Sequence, residues 1–322
     1  MKVLVLGGAG YIGAHAVLEL LDANHSVVVF DDFSTGQQLN IDPRADVFKG
    51  DILSKSDLKK VFNKNKFDSV MHFSALKSPN DSMIYPEKYS EINIVGTINV
   101  LNQMIKSKVF KLIFSSSCSV YGEPINSNID EDHPLEPISY YGFTKLEVER
   151  ILKWYSKITD LNFISLRYFN AAGYDLKHRI KIPEKDAPNL IPKVMKVLKG
   201  EQEQLRVFGN DYKTRDGTCI RDYIHVSDIA SAHLKSLNYL NNNSKYLFLN
   251  LATGFGYTVL EVIKEIELQS GCKVNYKFSK RRKGDPSIVI SKSNLSKKAL
   301  NWEARYSSLE NIINSVLSIY NL

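Results

Sequence analysis

Short apolar runs alternate with longer amphipathic stretches through the first half of the chain. The runs occupy residues 3–6, 26–30, 47–48, 69–73, 112–114 and 162–168, and most end in glycine, aspartate or serine. Such short runs, bounded by turn residues, fit strands buried on both faces. Between them apolar residues recur at helical spacing, as in Val17, Leu18, Leu20 and Leu21, and again over 92–108 and 141–159. Strand alternating with helix predicts an α/β fold with a doubly wound, mostly parallel sheet. Beyond Gly173 the texture becomes polar and irregular. Helical patterns reappear after Pro192 and over 259–270 and 309–320, and a basic loop covers 280–286. This part is read as a smaller mixed α/β domain over 171–322, with 1–170 as the first domain and the chain returning to it around 220–240.

Two helices carry more apolar surface than one sheet face can cover. Ile94, Val95, Ile98, Leu101, Met104 and Ile105 mark one; Val148, Ile151, Leu152, Trp154, Tyr155 and Ile158 mark the other. The surplus predicts a homodimer formed through the helices near 93–108 and 141–159.

At 322 residues, 43% hydrophobic and 24% charged, the composition is that of a soluble globular protein with room for two domains. A net charge of +7 raises the question of nucleic acid. The basic residues are scattered, however, with only small clusters at 177–179 and 280–283 and no interleaved aromatic stripe, so no nucleic-acid partner is expected. Cys118, Cys219 and Cys272 are too few and too far apart for a disulfide framework or a zinc site, and no metal is expected. Residues 3–18 lack Asp, Glu, Lys and Arg, but four glycines interrupt any signal-peptide core. With no apolar run of transmembrane length, the expectation is a cytoplasmic protein without a membrane partner.

The first run leads into Gly7-Gly8-Ala9-Gly10-Tyr11-Ile12-Gly13 and then a helix. A strand, a glycine turn and a helix N-terminus form a cradle for a pyrophosphate, because free backbone N–H groups and the helix dipole point at it. The fold class is therefore Rossmann-type. Gly7, Gly10, Tyr11, Ile12 and Gly13 are the candidate cradle residues. Asp31 closes the second strand 18 positions past Gly13, where a carboxylate can accept both ribose hydroxyls and repel a 2′-phosphate. That favours NAD over NADP. Asp51, followed by Ile52, is placed to meet the adenine amino group. Ser74, Ser115 and Ser117 fall at carboxyl ends of strands, where ligands bind in open α/β sheets. His72 is read as structural.

Tyr141 and Lys145 stand one turn apart on one helix face. Lowering a tyrosine pKa from about 10 to about 7 needs roughly 4 kcal/mol. A unit charge about 4 Å away, at an effective dielectric of about 20, supplies that much. The pair is read as a tunable general base.

The glycine fingerprint, Asp31, Ser117 with Tyr141-x-x-x-Lys145, and Arg167-Tyr168-Phe169-Asn170 together resemble the extended short-chain dehydrogenase/reductase family. Within it the chain is most similar to the UDP-glucose 4-epimerases. Phe208 to Tyr212, Asp216-Gly217-Thr218, Arg221 to Val226 and Arg281-Arg282-Lys283-Gly284-Asp285 stand in the order found there, so the similarity runs nearly end to end. The resemblance implies an isomerase of galactose and carbohydrate metabolism that inverts C4 of UDP-glucose or UDP-galactose through a transient 4-keto sugar, with tightly bound NAD regenerated each turnover. Tyr141 would take the 4-hydroxyl proton, Lys145 would bridge the nicotinamide ribose and Ser117 would bond the same sugar oxygen. Phe73, Lys77, Asn93 and Phe169 match cofactor positions. Asn170, Asn189, Leu190, Arg206, Phe208, Arg221, Arg282 and Asp285 match the nucleotide-sugar site. The guanidinium forks of Arg221 and Arg282 suit a diphosphate. Remote binding energy of this kind positions a hexose without preventing its rotation.

Three positions depart from that pattern. Ile92 replaces the first residue of an Asn-Asn pair, residues 77–82 differ from the usual small-residue run, and Val289 replaces a bulkier gating residue. The smaller valine predicts entry of N-acetylhexosamine nucleotides as well. A 4,6-dehydratase would need an Asp-Glu pair after the catalytic hydroxyl, where this chain has Cys118-Ser119. The remaining alternatives are 4-epimerisation of UDP-GlcNAc/GalNAc or a UDP-pentose, and a non-catalytic NAD-binding protein of the same fold.

Overall fold

Valine, leucine and isoleucine at consecutive positions give strands with both faces dry, and these, with one exposed edge strand over Asp46–Lys49, build a central sheet of seven. They are β1 (Lys2–Leu6), β2 (Ser26–Asp31), β3 (Asp46–Lys49), β4 (Ser69–His72), β5 (Lys111–Ser115), β6 (Asn162–Tyr168) and β7 (Leu247–Leu251). A computed structural model of the chain describes residues 1–322 apart from 126–127, 186, 244–245 and 283–284. All strand pairs are parallel, in the order β7-β6-β5-β4-β1-β2-β3. Because side chains alternate across a strand, Val3 and Val5 enter one core with Val17, Ile229 and Leu237, while Leu4 and Leu6 enter the other with Leu58, Val100 and Val148. This is the Rossmann-type arrangement.

The flanking helices are α1 (Tyr11–Asp22), α2 (Lys55–Lys64), α3 (Thr97–Lys106), α4 (Tyr140–Ile158) and α6 (Val226–Asn242), with α5 (Leu190–Leu198) between the last two in the smaller lobe. Ser139 caps α4 by accepting from the Gly142 N–H at 3.1 Å. The helix ends where Thr159 turns extended. Gly142 lets the first turn of α4 press onto the chain at Ser119, whose carbonyl would stand 2.3 Å from an added Cβ. That contact brings the start of α4 against the short helical turn Cys118–Val120.

Two sequence expectations need revision. The segment before α3 is π-helical over Ser90–Gly96 instead of entering the α-helix directly. The chain returns to the first domain for longer than residues 220–240, since α6 is followed by β7, which extends the sheet beyond β6. β7 reads weakly in sequence because Asn250 interrupts its apolar pattern. Asn250 is fully buried, where it accepts from the Tyr121 hydroxyl at 2.6 Å.

The smaller lobe packs α5, Val259–Ser270 and Leu309–Tyr320 around Val194, Met195, Val207, Ile263, Ile312 and Val316, and this core reaches Ala14 and Leu18 of α1. Ile220–Arg221 lies between Tyr257–Thr258 and Ile288–Ser291 in a small four-stranded sheet. The second lobe thus stands over the N-terminus of α1.

Candidate active site

The cofactor-side residues gather at the carboxyl ends of β1, β2, β4 and β5. α1 has Gly10 at its N-cap and no side-chain cap, so its first N–H groups keep no intrahelical acceptor. Gly13 crosses Gly7 so closely that an added Cβ would lie 2.1 Å from the Gly7 carbonyl oxygen. Asp31 accepts from the N–H groups of Ala9 and Phe33, each at 2.9 Å. Burial raises its pKa, and each carboxylate oxygen still has a lone pair to offer. Asp51 accepts from the Leu53 N–H at 2.8 Å, and the buried Ile52 side chain packs where Gly96 has no Cβ. Phe73 lies against His233, ring centres 4.6 Å apart, and the Ser74 N–H bonds the Leu6 carbonyl. An uncapped helix start, a turn too tight for a side chain and a carboxylate with remaining acceptor capacity fit a dinucleotide such as NAD.

Asn93 spends its amide inside the protein. It donates to the Leu76 carbonyl and the Thr144 hydroxyl, each at 3.0 Å, and accepts from the Leu76 N–H at 2.9 Å. It therefore clamps the loop that carries Lys77 to α4. Lys77 pairs with Glu184 and sits 5.8 Å above the Tyr11 ring.

Tyr141 and Lys145 project from the first turns of α4, opposite Ser115 and Ser117 at the end of β5. Lys145 Nζ donates to the Ser115 carbonyl at 2.8 Å, 4.9 Å above the Phe114 ring and 5.9 Å from the Tyr141 ring centre. Burial lowers the Lys145 pKa to about 7, and Glu149 opposes that shift. Burial also raises the Tyr141 pKa, followed by the Tyr168 phenol, while the Ser117 hydroxyl draws it down. The sequence-based expectation of an acidified phenol is thus not met by the chain alone. The amine meant to acidify it is itself desolvated. Ser115 bonds the Tyr168 hydroxyl. Ser117 caps the Cys118–Val120 turn by accepting from the Ser119 N–H at 3.1 Å. Phe169 is buried with Val120, Tyr121 and Leu146. Burial pushes the neighbouring Cys118 thiol up to about 12.

Toward the second lobe a cavity of about 180 Å³ opens above Tyr11. Asn170, Asn189, Leu190 and Arg206 line it, together with Phe208, Arg221 and Arg282. Asn170 donates to the Asp222 carbonyl at 3.0 Å, and Asn189 caps α5 with no side-chain hydrogen bond. Arg282 stacks 4.7 Å over Phe208. Asp285 stands behind the wall, ion-paired with Arg221 and 3.2 Å from Arg282. Val289 pairs in register with Arg221 on the neighbouring strand, away from the cavity lining, as is Ser117. Lys283 and Gly284 lie outside the described residues. Sequence reading missed Glu184, which lines the cavity and reaches Lys77. No motif marks it, because its place depends on a loop that Tyr174 holds by accepting from the Glu184 N–H at 3.0 Å. Among the described residues no group of three or more His, Cys, Asp or Glu could hold a metal ion.

A family model described as NAD dependent epimerase/dehydratase matches residues 3–252. A UDP-glucose 4-epimerase of Halalkalibacterium halodurans is 39% identical over 315 residues, covering 97% of this chain and 93% of that protein. The UDP-glucose 4-epimerase of Bifidobacterium longum, solved in complex with NAD+ and UDP, superimposes with a TM-score of 0.93 at 34% identity, over 100% of this chain and 98% of that one. The UDP-Glc/GlcNAc 4-epimerase of Campylobacter jejuni gives a TM-score of 0.88 at 36% identity, over 99% of both chains.

Proposed function

The chain belongs to the NAD dependent epimerase/dehydratase family, and on that premise we propose how its residues perform the reaction of a UDP-hexose 4-epimerase. It is an NAD-dependent isomerase that inverts C4 of a UDP-hexose, interconverting UDP-glucose and UDP-galactose. NAD, held by the glycine turn and Asp31, supplies the acceptor and return donor for the C4 hydrogen. Tyr141 takes the proton of the 4-hydroxyl and later restores it. Lys145, on the helix turn after Tyr141 and held by its bond to the Ser115 carbonyl, acts in its ammonium form beside the phenol. Burial alone holds Tyr141 protonated, so a bound oxidised nicotinamide would supply the positive charge that favours its phenolate.

The nucleotide end is gripped in the cavity lined by Asn170, Asn189, Leu190 and Arg206, with Phe208, Arg221 and Arg282. Asp285 orders the two guanidinium groups that receive the diphosphate. The hexose, anchored only through that remote end, turns over between the two hydrogen transfers. The observation that carries this reading is the burial of Tyr141, Lys145 and Ser117 together at the mouth of the cofactor cradle.

The chain acts as a homodimer. Val95, in the π-helical segment before α3, is 47% exposed, and Trp154 and Ile158 of α4 are 64% and 71% exposed; Tyr155 and Asn102 tie α4 to α3 with a 2.9 Å bond. It works in the cytoplasm, where its nucleotide substrates are found. No helix among the described residues is long and apolar enough to cross a membrane. UDP-GlcNAc is a second substrate, a reading that rests on the small side chain of Val289, which packs against the cluster of Val120 and Tyr121 next to the Ser117 turn. Purified protein mixed with UDP-galactose and no added NAD tests the reading. UDP-glucose should appear, and its absence with NAD supplied would reject it.

A further inference from the structure

Lys145 is a buried cation with little to hold its charge. Among the described residues its one hydrogen bond goes to the Ser115 carbonyl, and an ammonium out of water needs more than one neutral acceptor. From the elements packed around it come the Phe114 ring of β5, the Tyr168 hydroxyl of β6 through Ser115, and His72 of β4. His72 is kept neutral by burial. Among the described residues the carboxylate acting on Lys145 is Glu149, one turn further along α4. Residues at that spacing have Cβ atoms roughly 5–6 Å apart.

Glu149 is 2% exposed and fully engaged. Arg167 Nε donates to both its oxygens, at 3.0 and 3.2 Å, Arg167 Nη2 donates at 2.6 Å and the Ser165 hydroxyl at 2.7 Å. The remaining arm of Arg167 donates to the Tyr121 hydroxyl at 2.9 Å, and Tyr121 passes the chain on to Asn250 of β7. Glu131, which accepts from the Asn250 N–H at 2.8 Å, also faces Arg167. Tyr121 directly follows the turn that Ser117 caps. One buried ion pair therefore ties the helix carrying Tyr141 and Lys145 to the turn carrying Ser117.

We propose that Glu149, oriented by Arg167, is a positioning residue of the epimerase reaction: its carboxylate keeps Lys145 an ammonium, and the pair fixes the two segments of the catalytic triad to one anchor. This rests on the reading that Lys145 acts in its charged form. Removal of the anion leaves the ammonium less stabilised, so deprotonation and loss of activity occur at lower pH. A purely mechanical role would lower the rate equally at all pH values.

The test is the pH profile of UDP-galactose conversion by the NAD-loaded enzyme. In Glu149→Gln the alkaline limb of kcat should move down by about one pH unit, while KM changes little because the nucleotide cavity is elsewhere. Glu149→Asp, which keeps the charge, should leave the limb in place even if the rate falls. Breaking a buried pair leaves Arg167 uncompensated and can prevent folding. In that event Glu149→Gln/Arg167→Gln, with both charges removed, should fold and show a limb displaced in the same direction but by less, because removing the Arg167 cation offsets part of the loss. A limb that stays put in the folded glutamine variant, or moves equally in Glu149→Asp, would overturn the inference. An inactive wild-type enzyme would instead overturn the reading beneath it.

Discussion

The cofactor cradle and the nucleotide-sugar cavity meet at Tyr11, whose hydroxyl donates to the Gly173 carbonyl at 2.6 Å, but they are made of different materials. The cradle is mostly backbone. Its geometry follows from where β1 stops, how tightly Gly7 passes Gly13 and where Asp31 closes β2. The cavity is mostly side chains from segments distant in sequence, held in place by ion pairs such as those of Asp285 with Arg221 and Arg282. A site made of backbone tolerates little change in shape and has little charge to lose. A site made of paired side chains can give way sterically, and it depends on keeping its charges matched.

That contrast can be broken from either side. The most complete loss, that of the bound cofactor itself, is expected on the backbone side. In Gly13→Ala the new methyl meets the Gly7 carbonyl, and neither backbone segment can move without dragging β1. Overpacking of this kind costs about 1–3 kcal/mol, which would lower Tm by roughly 2–5 °C. The protein should also be purified without NAD, as read from the absorbance of extracted nucleotide. A cofactor-replete Gly13→Ala protein would mean that the cradle is softer than described.

Arg221→Ala probes the other side. It removes a phosphate partner and strands Asp285, so UDP affinity by calorimetry should fall by about 2–5 kcal/mol with NAD content unchanged. Loss of NAD in this variant would show that the two regions are not separable.

The smallest effect concerns Asp222, buried behind the cavity and bonded to the Thr253 and Gly254 N–H groups at 3.0 and 3.1 Å. Burial raises its pKa to about 6, above the value of about 3.9 expected in the unfolded chain. Between those two values the folded state holds the proton that the unfolded state has released. Stability contributed by this group is therefore present below about pH 4 and lost as pH rises to about 6. Relative to Asp222→Asn, the wild type should lose about 1–3 kcal/mol across that window, measured by urea denaturation at each pH. Parallel curves for the two proteins would remove Asp222 from the account.

The same division of materials decides what could be read in advance. β1, the glycine turn and Asp31 follow from local pattern, because their contacts are made by neighbours in sequence and by a repeating strand-helix rhythm. Tyr141 and Lys145 share a face by helical spacing alone, and the structure keeps them so. Seven of the residues assigned by resemblance to the sugar-nucleotide end line one cavity, though nothing in periodicity joins Asn170 to Arg282. The Lys77 pair with Glu184 and the Glu149 pair with Arg167 were not legible at all. Each links segments whose approach depends on the finished fold. β7 was hidden for a related reason, since its buried Asn250 looks polar until Tyr121 and Ser291 are seen bonding to it. The direction of the Tyr141 pKa also escaped sequence reasoning, because spacing says that an amine is near and says nothing about how dry both groups are.

The proton-handling role of Tyr141 is the claim on which the rest depends, and Tyr141→Phe with bound NAD tests it most directly. Conversion of UDP-galactose should fall by about 10²–10⁴-fold, while UDP binds as tightly as to the wild type because Tyr141 is not among the residues that line the nucleotide cavity. A rate within a few-fold of wild type would contradict the account.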